Sequence, residues 1–323
     1  MSALPEAPHA GPLGEGDATE AALDADGPAP ANAGAPKTGI GVGGWIAAGW
    51  LIFVVGLAFL APWLPLDSPT ARGAGPRLPL FTDGHVLGTD ASQRDVLSRL
   101  IFGARASLIV GFGGVAIGLL VGGTLGLLAG FRRGKIDTAL SSLFDVLLAF
   151  PQLILALSLV TFLRPPASTE PGAAAPSVTF TSIQILVIAI GIVAIPLLAR
   201  LTRSTTLSWS QREFVLAARA QGARSGRIMI REVLPNVLPA MLSLALLSVG
   251  VAIIAEGGLS LLGVGVEAPN PSWGNMITEN RNVRSAPLNA LFAPIIALFF
   301  TVMALNYLGD AIRRKFDVRE SAL

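Results

Sequence analysis

Long apolar runs separated by short polar stretches dominate the chain from about residue 44 onward. Six windows each supply the roughly 20 mostly apolar residues that a bilayer-spanning helix needs: about 44–64, 106–130, 136–162, 183–201, 238–264 and 290–308. The pattern predicts an all-α integral membrane protein with six transmembrane helices. Two polar stretches between the windows have a helical rhythm of their own. In "RDVLSRLIFGAR", residues 94–105, Val96, Leu97, Leu100, Ile101 and Ala104 recur opposite Arg94, Asp95 and Arg99, which predicts an amphipathic helix lying at the membrane surface. In "REFVLAARAQGARSGRIMIREVLPNVLP", residues 212–239, a short helix from Arg212 onward places Phe214, Ala217, Ala218 and Gln221 on one side. Gly222 then permits a turn, and a second short helix, Ser225 to Val233, leads to Leu234 and Pro235. Two short helices meeting at a corner make a knob that a groove on another protein can receive, whereas a solvated basic loop that only fixes topology is the plainer reading.

Composition agrees with a membrane protein: 52% of residues are hydrophobic and 14% charged, with a mean hydropathy of +0.64. Cysteine is absent and the histidines are His9 and His85, so no thiolate site, cysteine nucleophile or histidine-based metal site is expected. Residues 1–43 are rich in Ala, Gly and Pro and carry Glu6, Glu15, Asp17, Glu20, Asp24 and Asp26 against Lys37. That segment reads as a disordered acidic tail and, lacking a basic start, not as a signal peptide. If the N-terminus is inside, fifteen of the 23 basic residues fall on the inner side and eight on the outer, which favours both termini in the cytoplasm.

Within the spans a few residues stand out. Gly114, Gly118, Gly122, Gly126 and Gly130 recur every fourth position, leaving one helix face bare for close packing of a neighbour. Asp145 lies near the middle of the third span with Pro151 after it, and Glu256 toward the outer end of the fifth. Each intramembrane carboxylate is a candidate for a pathway or gating role, or for a polar tie to a neighbouring helix. Trp273, in a Pro-rich loop after the fifth span, is placed like an interfacial aromatic.

"EFVLAARAQGARSGRIMIREVLPN" resembles the EAA loop of bacterial ABC importer permeases, whose pattern is Glu-Ala-Ala, three residues, Gly, nine residues, Ile-x-Leu-Pro. Ala217, Ala218, Gly222, Leu234 and Pro235 match in spacing. Leu216 stands where that family usually has Glu, and Glu232 where it has Ile; Glu213, one turn before Leu216, can supply a carboxylate. "LGTDASQRDVLSRLIFGARASLIVG", "FDVLLAFPQLILAL", "AEGGLSLLGVGVEAPNPSWGNM" and "LNYLGDAIRRKFD" are similar to the oligopeptide, dipeptide and nickel branch, and to its C-type permease subunit, although Gln93 replaces a usual Gly.

The resemblance implies a type I ABC importer permease fold in a bacterial inner membrane. Its regions would be a tail (1–43), a first span and outer loop with the interfacial helix (44–105), a core (106–310) containing the coupling loop (202–237), and a cytoplasmic tail (311–323). It implies a second, homologous permease, two cytoplasmic ATPase domains that hold ATP and Mg, and an extracytoplasmic peptide-binding protein, and no nucleic acid partner. Glu213, Phe214, Leu216, Ala217, Ala218, Gln221, Gly222, Leu234 and Pro235 would form the ATPase-coupling surface. The chain itself is expected to bind no cofactor and to hydrolyse no ATP: around Gly134-Lys135, Ala129 and Ile136 stand where a phosphate loop needs Gly and Ser or Thr. The competing reading is a secondary transporter or channel that uses Asp145 or Glu256 for ion coupling. An intramembrane enzyme has no evident residues, since neither His-Glu-x-x-His nor Gly-x-Ser-x-Gly occurs.

Overall fold

The computed structural model describes residues 41–73, 75–82, 84–164, 180–282 and 287–320, with side chains up to residue 315. Residues 1–40 of the expected tail lie outside the described residues. Helix α1 (Gly41–Leu60) begins three residues before the expected span and ends in a 3-10 turn at Pro62. A 37-residue rod, α2 (Val96–Arg132), follows, with a π turn at Gly118–Gly122. Next come α3 (Gly134–Ala149), α4 (Gln152–Leu163), α5 (Ser182–Trp209), α6 (Glu213–Ala220), the 37-residue rod α7 (Ser225–Leu261), α8 (Trp273–Asn280) and α9 (Leu288–Glu320). Five of these runs are long and apolar enough to cross a bilayer, and the bent pair α3 and α4 makes a sixth crossing if taken as one span. Among the described residues the only β pairing is two isolated bridges in the outer loop, Thr82 with His85 and Thr89 with Asp95.

Caps and breakers explain the boundaries. Asp95 accepts from the Ser98 amide at 2.7 Å and starts α2. Thr181 and Gln184 form a reciprocal capping box at the start of α5. Arg133 and Gly134, with φ of +54° and +66°, separate α2 from α3.

Four expectations change here. The third window is not one straight span: at Phe150 and Pro151 its two halves turn by 91°, since proline cannot donate to the preceding turn and disfavours helix at the residue before it. The segment 94–105 is not a separate surface helix but leads directly into the second span, and its polar side is covered by protein. Arg94 reaches Asp90 at 2.8 Å and Glu279 at 2.5 Å, while buried Arg99 reaches Glu279 at 2.9 Å. The second short helix of the knob is continuous with the fifth span through a π turn at Met229–Val233. Finally, α9 runs on to Glu320, so most of the expected final tail is helical.

In the bundle α7 packs against α2, α5 and α9, and α9 also against α1. Trp50 of α1 donates to Thr301 Oγ1 of α9 at 3.1 Å, and Ser243 of α7 to the Gly309 carbonyl at 2.6 Å. The glycine face of α2 lies on α5. A methyl group on Gly122 would stand 2.4 Å from the Ile195 carbonyl oxygen, and one on Gly126 2.2 Å from that of Ala199. Gly114, Gly118 and Gly130 meet Ile190, Ala194 and Arg203 of the same helix, so the whole four-residue repeat serves one close backbone approach.

Candidate functional site

The polar stretch 212–239 folds as a corner with its own small core. Val215, Ile228, Val233 and Val237 are buried together with Leu127 and Phe131 from the end of α2, and Trp209 and Ala218 pack at the edge. The corner is therefore held to two rods by apolar burial. Gly222 sits at its apex with φ +78° and nothing within 4 Å of where a side chain would begin. Its amide donates to the Arg219 carbonyl at 3.0 Å and that of Ala223 to the Ala218 carbonyl at 3.1 Å, which closes α6 with a left-handed residue.

The inward side of α6 is Val215. Glu213, Phe214, Leu216, Ala217 and Gln221 face outward, as do Gly222 and Pro235, whereas Ala218 and Leu234 are half-buried. Leu216 is 53% exposed. Around this face Arg212 lies over the Trp209 ring at 5.3 Å and Arg219 over Phe131 at 5.6 Å, which stiffens the base of the corner.

The two carboxylates singled out in the spans have opposite surroundings. Glu256 is fully buried: it accepts from Ser107 of α2 at 3.1 Å, from Ser260 at 3.0 Å and from Ser272 at 2.7 Å. Ser107 in turn accepts the Trp273 amide at 3.1 Å, and Ser272 caps α8 by accepting the Asn275 amide at 3.0 Å. Trp273 is not an interfacial residue; it is 1% exposed and its indole donates to the Leu100 carbonyl at 3.1 Å. Glu256 is thus the centre of a knot joining α2, α7 and α8. Asp145, by contrast, has a side chain 62% exposed and pairs with Arg200 of α5, itself 53% exposed. Asp137 and Arg203 form a second pair between the same helices, with Arg203 Nη2 donating to Asp137 Oδ2 at 2.7 Å. Spacing along the chain offered no signal for these partners, because Asp145 and Arg200 are 55 residues apart. Among the described residues no cluster of three or more side chains suited to a metal ion occurs.

A bundle of apolar rods carrying a basic corner is a polytopic membrane protein. The family described as the binding-protein-dependent transport system inner membrane component matches residues 122–321, and the chain belongs to that family. It is 38% identical over 262 residues, 81% of each chain, to the dipeptide transport system permease protein DppC of Alkalihalophilus pseudofirmus. Against the di/tripeptide transport system permease protein DppC of Pseudomonas aeruginosa it is 35% identical, covering 83% of this chain and 85% of the other. Against the glutathione transport system permease protein GsiD of Pectobacterium atrosepticum the identity is 35% over 84% and 86%. In fold it is similar to a chain of the MetNI methionine ABC transporter solved in inward-facing conformations, with a TM-score of 0.55 at 19% identity over 67% of this chain and 96% of that one. The chain therefore has the type I importer permease fold and is an inner-membrane protein.

Proposed function

We propose that this chain forms half of the translocation pathway of an ATP-driven importer of di- or oligopeptides, beside a second permease, and that the corner at 212–233 receives the motion of cytoplasmic ATPases. The observation that carries the coupling is mechanical: the corner is continuous with α7 through an unbroken 37-residue helical run and is locked to α2 by a buried core. A push on α6 is delivered to two membrane rods instead of being lost in a loop, which is the requirement for ATP-driven closure to reorient the pathway. The peptide substrate is supported by the relatives' names, and the inner placement of the corner by the distribution of arginines. ATP and Mg belong to the partner ATPases, and a separate extracytoplasmic binding protein delivers the peptide.

In this reading Glu256 is a structural tie, since its oxygens are taken up by three hydroxyls from two other segments and its own helix. Asp145 and Arg200 are the pathway or partner-facing pair, because a charged pair exposed on a membrane rod must meet water or protein and not lipid.

The test is Gly222→Val. The site is open, so the substitution creates no clash; it opposes the left-handed backbone at a cost of about 1–2 kcal/mol. An equilibrium shift of that size is a factor of about 5–30. ATP-driven dipeptide uptake by the reconstituted complex should fall by about that factor while membrane insertion is retained. Full uptake would remove the coupling role, and uptake driven by a proton gradient without ATP would establish the secondary-transporter reading.

A further inference from the structure

Resting on the reading of the corner as an ATPase-docking element, we infer that Arg224, Arg227 and Arg231 are the receptor for an acidic patch on the partner ATPase, beside the contact made by α6. Arg224 stands at the N-cap of α7, Arg227 in its first turn and Arg231 in the π turn that follows, and the three side chains border one concavity. All three are exposed, and none pairs with a carboxylate among the described residues. They line an open concavity of about 590 Å³ together with Gly222, Ala223, Gly226 and Ile230. The small residues leave its floor accessible to another backbone, and Ile230, 58% exposed, offers one apolar contact at the rim. An element presenting two or three carboxylates and an apolar side chain complements this surface in charge and shape.

Geometry argues against anionic lipid as the occupant. The apolar part of the span starts near residue 238, so Arg231 stands about 10 Å and Arg227 about 16 Å along the helix from that point at 1.5 Å per residue, and Arg224 lies beyond the helix's first residue. The head-group layer is only about 5–8 Å deep on each side of the hydrocarbon. Side chains on a helix also lean toward its N-terminus, and on α7 that direction leads away from the span. The three arginines therefore point into the space that a docked soluble domain occupies.

The experiment uses the complex co-expressed with its own ATPase subunits. In one arm Arg224→Lys, Arg227→Lys and Arg231→Lys are made singly and treated with a water-soluble carbodiimide, which joins an amine to a carboxylate in contact with it; the wild type, with arginine at all three positions, is the blank. The expected product is a lysine variant coupled to an Asp or Glu of the ATPase, located by mass spectrometry. In the second arm Arg227→Glu with Arg231→Glu should lower ATPase retention about tenfold at physiological salt, and the wild-type association should weaken as salt is raised. Coupling confined to lipid or to this chain, or retention indifferent to both charge reversal and salt, overturns the inference. If that happens while Gly222→Val still uncouples transport, docking stands and only its acidic partner surface is wrong. If Gly222→Val is also silent, the docking reading fails as well.

Discussion

The outer face and the inner corner both concentrate arginines, and they use them in opposite ways. Outside, Arg94 and Arg99 are buried and meet Asp90 and Glu279, so the charges hold the outer loop, the start of α2 and α8 to one another. Arg99 further donates to the carbonyls of Pro69 and Pro269, each at 3.3 Å. Inside, Arg224, Arg227 and Arg231 are exposed and meet no carboxylate among the described residues. Cohesion of the corner comes instead from Val215, Ile228 and Val233. Charge that is paired and buried stabilises a fold, and charge left open at the surface is available to a partner.

If that contrast holds, the largest loss of stability belongs to the outer cluster. Arg99→Ala removes a buried cation, leaving Glu279 with Arg94 alone and the Pro69 and Pro269 carbonyls without their donor, and with hydrogen bonds to or from charged groups at about 1.5–3 kcal/mol each the loss is about 3–5 kcal/mol. The variant should unfold at clearly lower temperature in detergent than the wild type. An unchanged melting temperature would mean that the outer charges are no more cohesive than the inner ones.

A smaller loss is expected at the Glu256 knot. Ser272→Ala deletes the 2.7 Å hydrogen bond to Glu256 and the cap of α8 in one step. Glu256 keeps Ser107 and Ser260 as donors, so the lost hydrogen bond costs about 1 kcal/mol and the lost cap about 1 kcal/mol more, and destabilisation should lie below that of Arg99→Ala. Protease cleavage in the outer loops would report it before global unfolding does.

The contrast between the two faces also marks what the chain's pattern could reveal. Local signals read true: the four-residue glycine repeat, the turn at Gly222 and the corner between two spans all depend on residues close in sequence. Long-range choices did not. A polar stripe such as Arg94 and Arg99 suits water or buried carboxylates equally well, and Glu279 lies 180 residues from Arg99. Trp273 has the same ambiguity, because an aromatic at the end of an apolar run can sit at an interface or, as here, fill a core. Pro151 lies inside the third apolar window, and the apolar residues on both sides of it disguise two helices at 91° as one span. The continuity of α7 through Met229–Val233 was hidden by the charges of Arg231 and Glu232, which interrupt the apolar pattern without interrupting the helix.

The smallest effect on stability, and the sharpest on recognition, is expected from Leu216→Glu. Leu216 is exposed on the outward side of α6 and is absent from the core of the corner, so its removal from water contributes little to folding. Leucine and glutamate have similar helix propensities, and a carboxylate at 216 can pair with Arg219 three residues on, worth about 0.2–0.5 kcal/mol. Thermal stability should therefore stay within about 0.5 kcal/mol of the wild type, as for most surface substitutions. Transport need not stay unchanged, because the new carboxylate stands on the surface proposed above to dock the ATPase. If the ATPase keeps a cation opposite this position, uptake and ATPase retention should hold or rise, and the salt sensitivity of the complex should increase. If the ATPase carries the acidic patch proposed opposite Arg224, Arg227 and Arg231, and that patch extends as far as α6, retention should instead fall with no change in melting temperature. Either shift without destabilisation marks α6 as a recognition surface; a loss of thermal stability comparable to that of Arg99→Ala would show that the corner, like the outer cluster, is held together by the residues it exposes.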